Sequence, residues 1–213
     1  IRKAVLDAKR RITDAIALSY RIGGGMNAIN PMASKQKDAL RGERIEELQA
    51  SIVSLEKNLP ASCVLEQGSG FVYALPAPQS CSEVCGIDGC VVVRSRRPAR
   101  VGDVRFGTSK ELSRIVMEMN RRDPRIMSAL TLRPTRKALS VLKESGLYIE
   151  EIECDKGMED KTLIERIVPR REGQTDFVPD IVFDRGGMGM RPMIVVIGKD
   201  PADVLLKLRP ILQ

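Results

Sequence analysis

The chain has 213 residues, 43% of them apolar and 30% charged, and a net charge of +7; at ~150 residues per domain this predicts one or two globular domains and argues against disorder. It contains no His and no Trp, and aromatics make up only 3%. This composition excludes a Ser-His-Asp triad, a Cys-His dyad and histidine metal ligation, and it argues against the stacking platforms that bind single-stranded nucleic acid.

In chain order, the first predicted element is a helix over residues 3–20, where Val5, Ala8, Ile12, Ala15 and Ile16 recur at spacings of three and four. Gly23-Gly24-Gly25 ends it, Asn30-Pro31 marks a further break, and the polar run Ser34 to Gly42 reads as a linker. A second helix over 43–59 follows, with Ile45, Leu48, Ile52, Leu55 and Leu59 as its apolar seam and Pro60 as its stop. That seam is expected to cover the core of its own domain. From about residue 64 the pattern turns to short strands: Phe71–Leu75, Cys90–Arg94, Leu147–Ile152, Ile181–Asp184 and Met193–Gly198. Helical patterns alternate with them at 109–121, 135–145 and 201–209, with Pro201 suited to a first turn. The expected class is α/β, a mixed sheet flanked by helices and preceded by a helical N-terminal segment. Residues 1–60 form that segment and its linker, and 61–213 form the α/β domain.

No run approaches ~18 consecutive apolar residues, so no membrane span is expected. Ile1-Arg2-Lys3 lacks a signal-peptide pattern, and the missing initiator Met suggests a start inside a longer polypeptide. Five Cys without a disulfide framework predict a reducing, cytoplasmic setting. Cys81-x3-Cys85-x4-Cys90 resembles a metal site in outline, but no His or fourth close Cys completes it, so no metal is expected there.

Charge is concentrated. Residues 91–145 hold 14 basic and 5 acidic side chains, more than the whole net excess. Such a stretch suits a small anionic ligand, a nucleic acid or a merely solvated face. No helix-turn-helix spacing appears in residues 1–60, so nucleic acid is not expected through this chain alone. Within the basic stretch, Gly107-Thr108-Ser109 opens a helix with core stripe Leu112, Ile115, Val116 and Met119, while Lys110, Arg114 and Arg121 share the opposite face. Free N–H groups at such a start, with cations beside them, suit a phosphate. The same residues also fit a structural device, a capping box from Thr108 to Glu111. A second candidate is Asp184-Arg185-Gly186-Gly187-Met188-Gly189-Met190-Arg191-Pro192, a glycine-rich turn after an apolar strand. Its backbone allows close approach by a ligand; Arg185 and Arg191 are placed to reach a phosphate, and Asp180 or Asp184 to hold a metal through oxygen.

Several pieces, in order, resemble the archaeal-type thiamine-phosphate synthase domain, the ThiN family: Phe71-Val72-Tyr73-Ala74-Leu75-Pro76, Phe106-Gly107-Thr108-Ser109, Asp123-Pro124-Arg125-Ile126, Pro179-Asp180-Ile181-Val182-Phe183-Asp184, Gly189-Met190-Arg191-Pro192-Met193-Ile194 and Gly198-Lys199-Asp200-Pro201. Val5 to Ala33 resembles the tail of the hydroxymethylpyrimidine kinase often fused upstream of that domain. The resemblance implies joining of hydroxymethylpyrimidine diphosphate to a thiazole phosphate, giving thiamine phosphate and diphosphate. It implies Arg114 and Arg133 as catalytic residues and Arg105, Gly107, Thr108, Ser109, Asp184, Gly189 and Arg191 as substrate or phosphate ligands. Mg²⁺ is the expected accessory ion. The expected partners are anionic small molecules or thiamine phosphate, with a homodimer as a further expectation. Three departures stand out. Glu111 lies where the family commonly has His, Thr131-Leu132-Arg133-Pro134-Thr135 replaces an Asn-x-Arg-Tyr-Ser-like piece, and Met190-Arg191 replaces Lys-Glu. They leave a second reading open, a non-catalytic domain of the same fold that senses thiamine phosphate.

Overall fold

A computed structural model describes residues 2–152, 178–187 and 191–212. Two helices lead the chain, α1 (Arg2–Ala17) and α2 (Ala33–Asn58). Strands β1 (Phe71–Ala74), β2 (Val84–Ile87), β3 (Cys90–Arg94), β4 (Arg97–Val101) and β5 (Val104–Phe106) follow. Next come α3 (Lys110–Arg122), β6 (Ser128–Leu132), α4 (Arg136–Glu144) and β7 (Ile149–Ile152). The chain closes with β8 (Ile181–Asp184), β9 (Met193–Gly198) and α5 (Pro201–Leu208).

Seven strands make one sheet in the order β5-β2-β1-β6-β9-β8-β7, and β3 and β4 form a separate hairpin. Neighbours run antiparallel except β7 and β8, which are parallel. The sheet is therefore mixed, and helices cover both faces, as expected.

Strand alternation divides the core. Phe71, Tyr73, Leu130, Leu132, Ile194 and Val196 point to the face covered by Leu48, Ile52 and Leu55 of α2 and by Val204 and Leu208 of α5. Val72, Ala74, Ala129, Val195 and Ile197 point to the other face, where Leu112, Ile115, Val116 and Met119 of α3 pack. The apolar seam of α2 thus covers the sheet of its own chain. Asp200 caps α5 by accepting from the Asp203 N–H at 2.7 Å, and Pro201 occupies the first turn.

The run Ser34 to Gly42 is not a linker; it is the first third of α2. Polar composition concealed a buried function. Lys37 is 1% exposed, and its Nζ donates to Asp14 Oδ1 at 2.8 Å, Glu83 Oε2 at 2.7 Å and the Ala77 carbonyl at 3.1 Å. Arg10 donates to Glu83 Oε1 at 2.7 Å, and Ser34 Oγ donates to Asp14 Oδ2 at 3.1 Å. Helix α1 is therefore held by its charged side, while Val5, Ile12 and Ile16 of its apolar stripe are exposed. Among the described residues no helix is long and apolar enough to cross a membrane.

Candidate functional site

Three central strands bring the candidate residues together. The start of β1, the end of β6 and the start of β9 lie side by side, with Phe71 opposite Leu130 and Leu132 opposite Ile194. Three segments attached to this end of the sheet converge: the loop 65–70 before β1, Arg133-Pro134 after β6 and Arg191-Pro192 before β9. The first turn of α3 opens onto the same end.

Two clefts result, both bordered by Leu65 and Gln67. One, of about 280 Å³, is lined by Gly68, Gly70, Thr131 and Met193 and by Ser109, Lys110 and Glu111 of the α3 start. The other, of about 440 Å³, is lined by Glu66, Arg133, Pro134, Arg191 and Pro192. Thr131 ties the wall of the smaller cleft to the loop before β1: its Oγ1 accepts from the Gly70 N–H at 2.8 Å.

The approach to α3 is built by backbone. Gly107 has φ 85° and Ser109 φ 48°, so the chain turns sharply before the helix begins. Gly86 of β2 makes room for this turn, because a Cβ there would lie 3.0 Å from Thr108 Oγ1 and 2.9 Å from Val72 Cγ1. The expected capping box is absent. Ser109 is the N-cap and makes no side-chain cap bond, while Thr108 Oγ1 donates to the Arg105 carbonyl at 3.2 Å. The left-handed residue at 109 moves the helix start one position past Thr108. Glu111 is thereby left exposed in the first turn, at the edge of the cleft.

Of the residues predicted for the site, Ser109, Arg133 and Arg191 line the clefts, and Gly107 and Thr108 form the turn leading in. Arg114 is exposed one turn along α3 and borders neither cleft. Arg105 projects from β5 toward Asp88 and Asp103, at 3.4 and 3.3 Å. Asp184 reaches the correct end of the sheet, opposite Met193, but is fully buried and accepts the Gly186 N–H at 2.8 Å. Gly189 and Met190 lie outside the described residues. Glu66, Gln67 and Thr131 were not predicted; the Gly68-Ser69-Gly70 run beside them was the available signal.

The cysteines point apart: Cys85 Sγ donates to the Tyr73 carbonyl at 3.2 Å, and the Sγ atoms of Cys81 and Cys90 face the carbonyls of Lys110 and Gln67. Burial pushes the Cys85 thiol up to about 12, and it raises Cys63 as well. Among the described residues no three His, Cys, Asp or Glu side chains form a metal-binding group.

Fold and clefts together define an α/β protein whose mixed sheet carries two clefts at one end, the larger lined by two arginines and a glutamate. The family described as thiamine-phosphate synthase ThiN matches residues 47–210, and the chain belongs to that family. The bifunctional thiamine biosynthesis protein ThiDN of Methanocaldococcus jannaschii is 25% identical over 215 residues, covering 99% of this chain and 49% of that protein. The thiamine-phosphate synthase ThiN of Methanothermobacter thermautotrophicus is 25% identical over 146 residues, covering 65% of this chain and 76% of that protein. The chain thus spans about half the length of the bifunctional relative. A crystal structure of the C-terminal domain of a phosphomethylpyrimidine kinase superposes with a TM-score of 0.69 at 28% identity, covering 80% of this chain and 98% of that one.

Proposed function

We propose that the chain is a thiamine-phosphate synthase domain that joins hydroxymethylpyrimidine diphosphate to thiazole phosphate in the cytoplasm. The observation that carries this reading is the convergence of Arg133, Arg191, Ser109 and Lys110 on one end of the sheet in a member of the ThiN family. In the reaction, the pyrimidine methylene C–O bond breaks and its electron pair leaves with the diphosphate. The thiazole nitrogen supplies the pair for the new C–N bond. Such a step needs charge stabilisation on the leaving group more than a covalent nucleophile. The two arginines supply it by bidentate donation, and the α3 N–H groups take a second phosphate. Mg²⁺ would enter with the diphosphate: of the carboxylates at this end, Glu66 is engaged by Arg133 and Arg191 and Asp184 accepts the Gly186 N–H, while Glu111 stands exposed at the cleft edge.

Purified protein supplied with both substrates and Mg²⁺ is expected to form thiamine phosphate. One observation favours the second reading, a thiamine-phosphate sensor without turnover: Glu111 brings a carboxylate to the cleft edge where family members commonly place His. Binding of thiamine phosphate with no product in that assay, and product on Glu111→His, would establish it.

A further inference from the structure

We propose that Glu66 occupies the anion subsite of the larger cleft as an internal surrogate, and that an incoming diphosphate must displace it. The carboxylate is gripped from two sides. Arg133 Nη2 lies 3.6 Å from Glu66 Oε1, and Arg191 Nη1 contacts Oε2. The three residues come from three separate segments: the loop before β1, the residue after β6 and the residue two before β9. Convergence of two guanidinium groups on one carboxylate is the arrangement that would bind a phosphoryl group.

The pair is not a structural staple. The side chains of Glu66, Arg133 and Arg191 are 53%, 50% and 61% exposed, and ion pairs so open to water contribute little to stability. What is fixed is the arginines' bases. Each is followed directly by proline, Arg133-Pro134 and Arg191-Pro192, and both prolines line the same cleft. A residue before proline is biased to extended backbone, so the chain, and not Glu66, sets where the two arginine side chains start at the cleft wall. The carboxylate, on a glycine-containing loop, is the component free to leave. A single negative charge is a weak competitor for a diphosphate carrying two or more, but it screens the arginines from singly charged anions. Glu66 therefore sets both the affinity and the charge selectivity of the subsite.

This inference rests on the reading of the cleft as a phosphate site, and one calorimetric series separates the two. The full chain is titrated with inorganic diphosphate, alongside Glu66→Gln, Arg133→Ala and Glu66→Gln/Arg133→Ala. The expected result is that Glu66→Gln binds at least tenfold more tightly, that Arg133→Ala binds at least tenfold more weakly, and that the double variant loses the gain. Unchanged or weaker binding by Glu66→Gln, with Arg133→Ala still impaired, overturns the gate and leaves the phosphate site standing. Binding that ignores Arg133→Ala, or no binding by any of the four proteins, overturns both. The thermal midpoint of Glu66→Gln, expected within about a degree of the parent, confirms that the gain does not come from a changed fold.

Discussion

Lys110 is the cation of the α3 start that borders the smaller cleft, and among the described residues no ion pair engages it. Lys110 and the first residues of α3 line the same cleft, so Lys110→Ala is expected to weaken thiamine-phosphate binding by about tenfold or more. Arg114→Ala should cost less, since that side chain stands outside both clefts; calorimetry on the two variants ranks them. Cys85 carries a different expectation. Unfolding exposes a thiol that ionises near 9.0, whereas the folded protein keeps its proton to about 12. Between those values the unfolded chain binds fewer protons, so stability falls as pH rises, by up to about 1.4 kcal/mol per pH unit. Denaturant melts from pH 8.5 to 11 should show a steeper loss than in Cys85→Ala, and iodoacetamide should leave Cys85 unmodified in the folded protein at pH 8. At this scale the sequence was informative where residue type and chemistry coincide. Ser109 and Arg191 sit in glycine-marked stretches, and Arg133 keeps the arginine of a piece that otherwise departs from the family's own. Arg114 and Arg105 have the right type, but helix phase and local carboxylates turn them elsewhere. Glu66 was invisible because a carboxylate is not a phosphate ligand; its meaning comes from the two arginines that meet it across the fold.

The helices show what polarity conceals. Lys37 holds α1, α2 and the 77–83 segment through two carboxylates, each fully buried. Lys37→Met would keep the volume and leave the two buried carboxylates, Asp14 and Glu83, to share the half-exposed Arg10. Removing one partner of a buried pair typically costs about 3–5 kcal/mol. The expected outcome is a large drop in the denaturant midpoint, checked by urea melts with helical circular dichroism. The periodic elements were legible: β3, β8 and β9 have their predicted bounds, and α3, α4 and α5 differ by a residue or two. β2 and β6 were not. All of Val84–Ile87 and Ser128–Leu132 is buried, so neither strand alternates apolar with polar, and each contains small residues that weaken the signal. β4 and β5 were missed for the opposite reason, because Arg97, Arg100 and Arg105 dominate short segments. The first third of α2 was missed because its most important side chain is a lysine.

At the scale of the molecule, the sheet is two pieces joined by one strand. β5, β2, β1 and β6 form one piece and β8 and β7 the other, and β9 lies between β6 and β8. It is the last strand in sequence among the described residues, five residues paired with β6 and four with β8. During synthesis, each piece therefore waits with an open backbone edge until residues 193–198 emerge. The unpaired flank of β6, a strand buried along its whole length in the finished sheet, is a template for other chains. Closure over such sequence distances is slow compared with local helix formation. A chain ended at Arg191 is expected to retain helical content yet aggregate, measured as loss of the soluble fraction on expression beside the full chain. Recovery of that fraction on adding a synthetic peptide of residues 192–212 would mark β9 and α5 as the piece that completes the sheet. The same order of events sets a temporal rule for function: Arg191 is brought beside Arg133 by β9, so the proposed anion cleft cannot form before that strand pairs with β6.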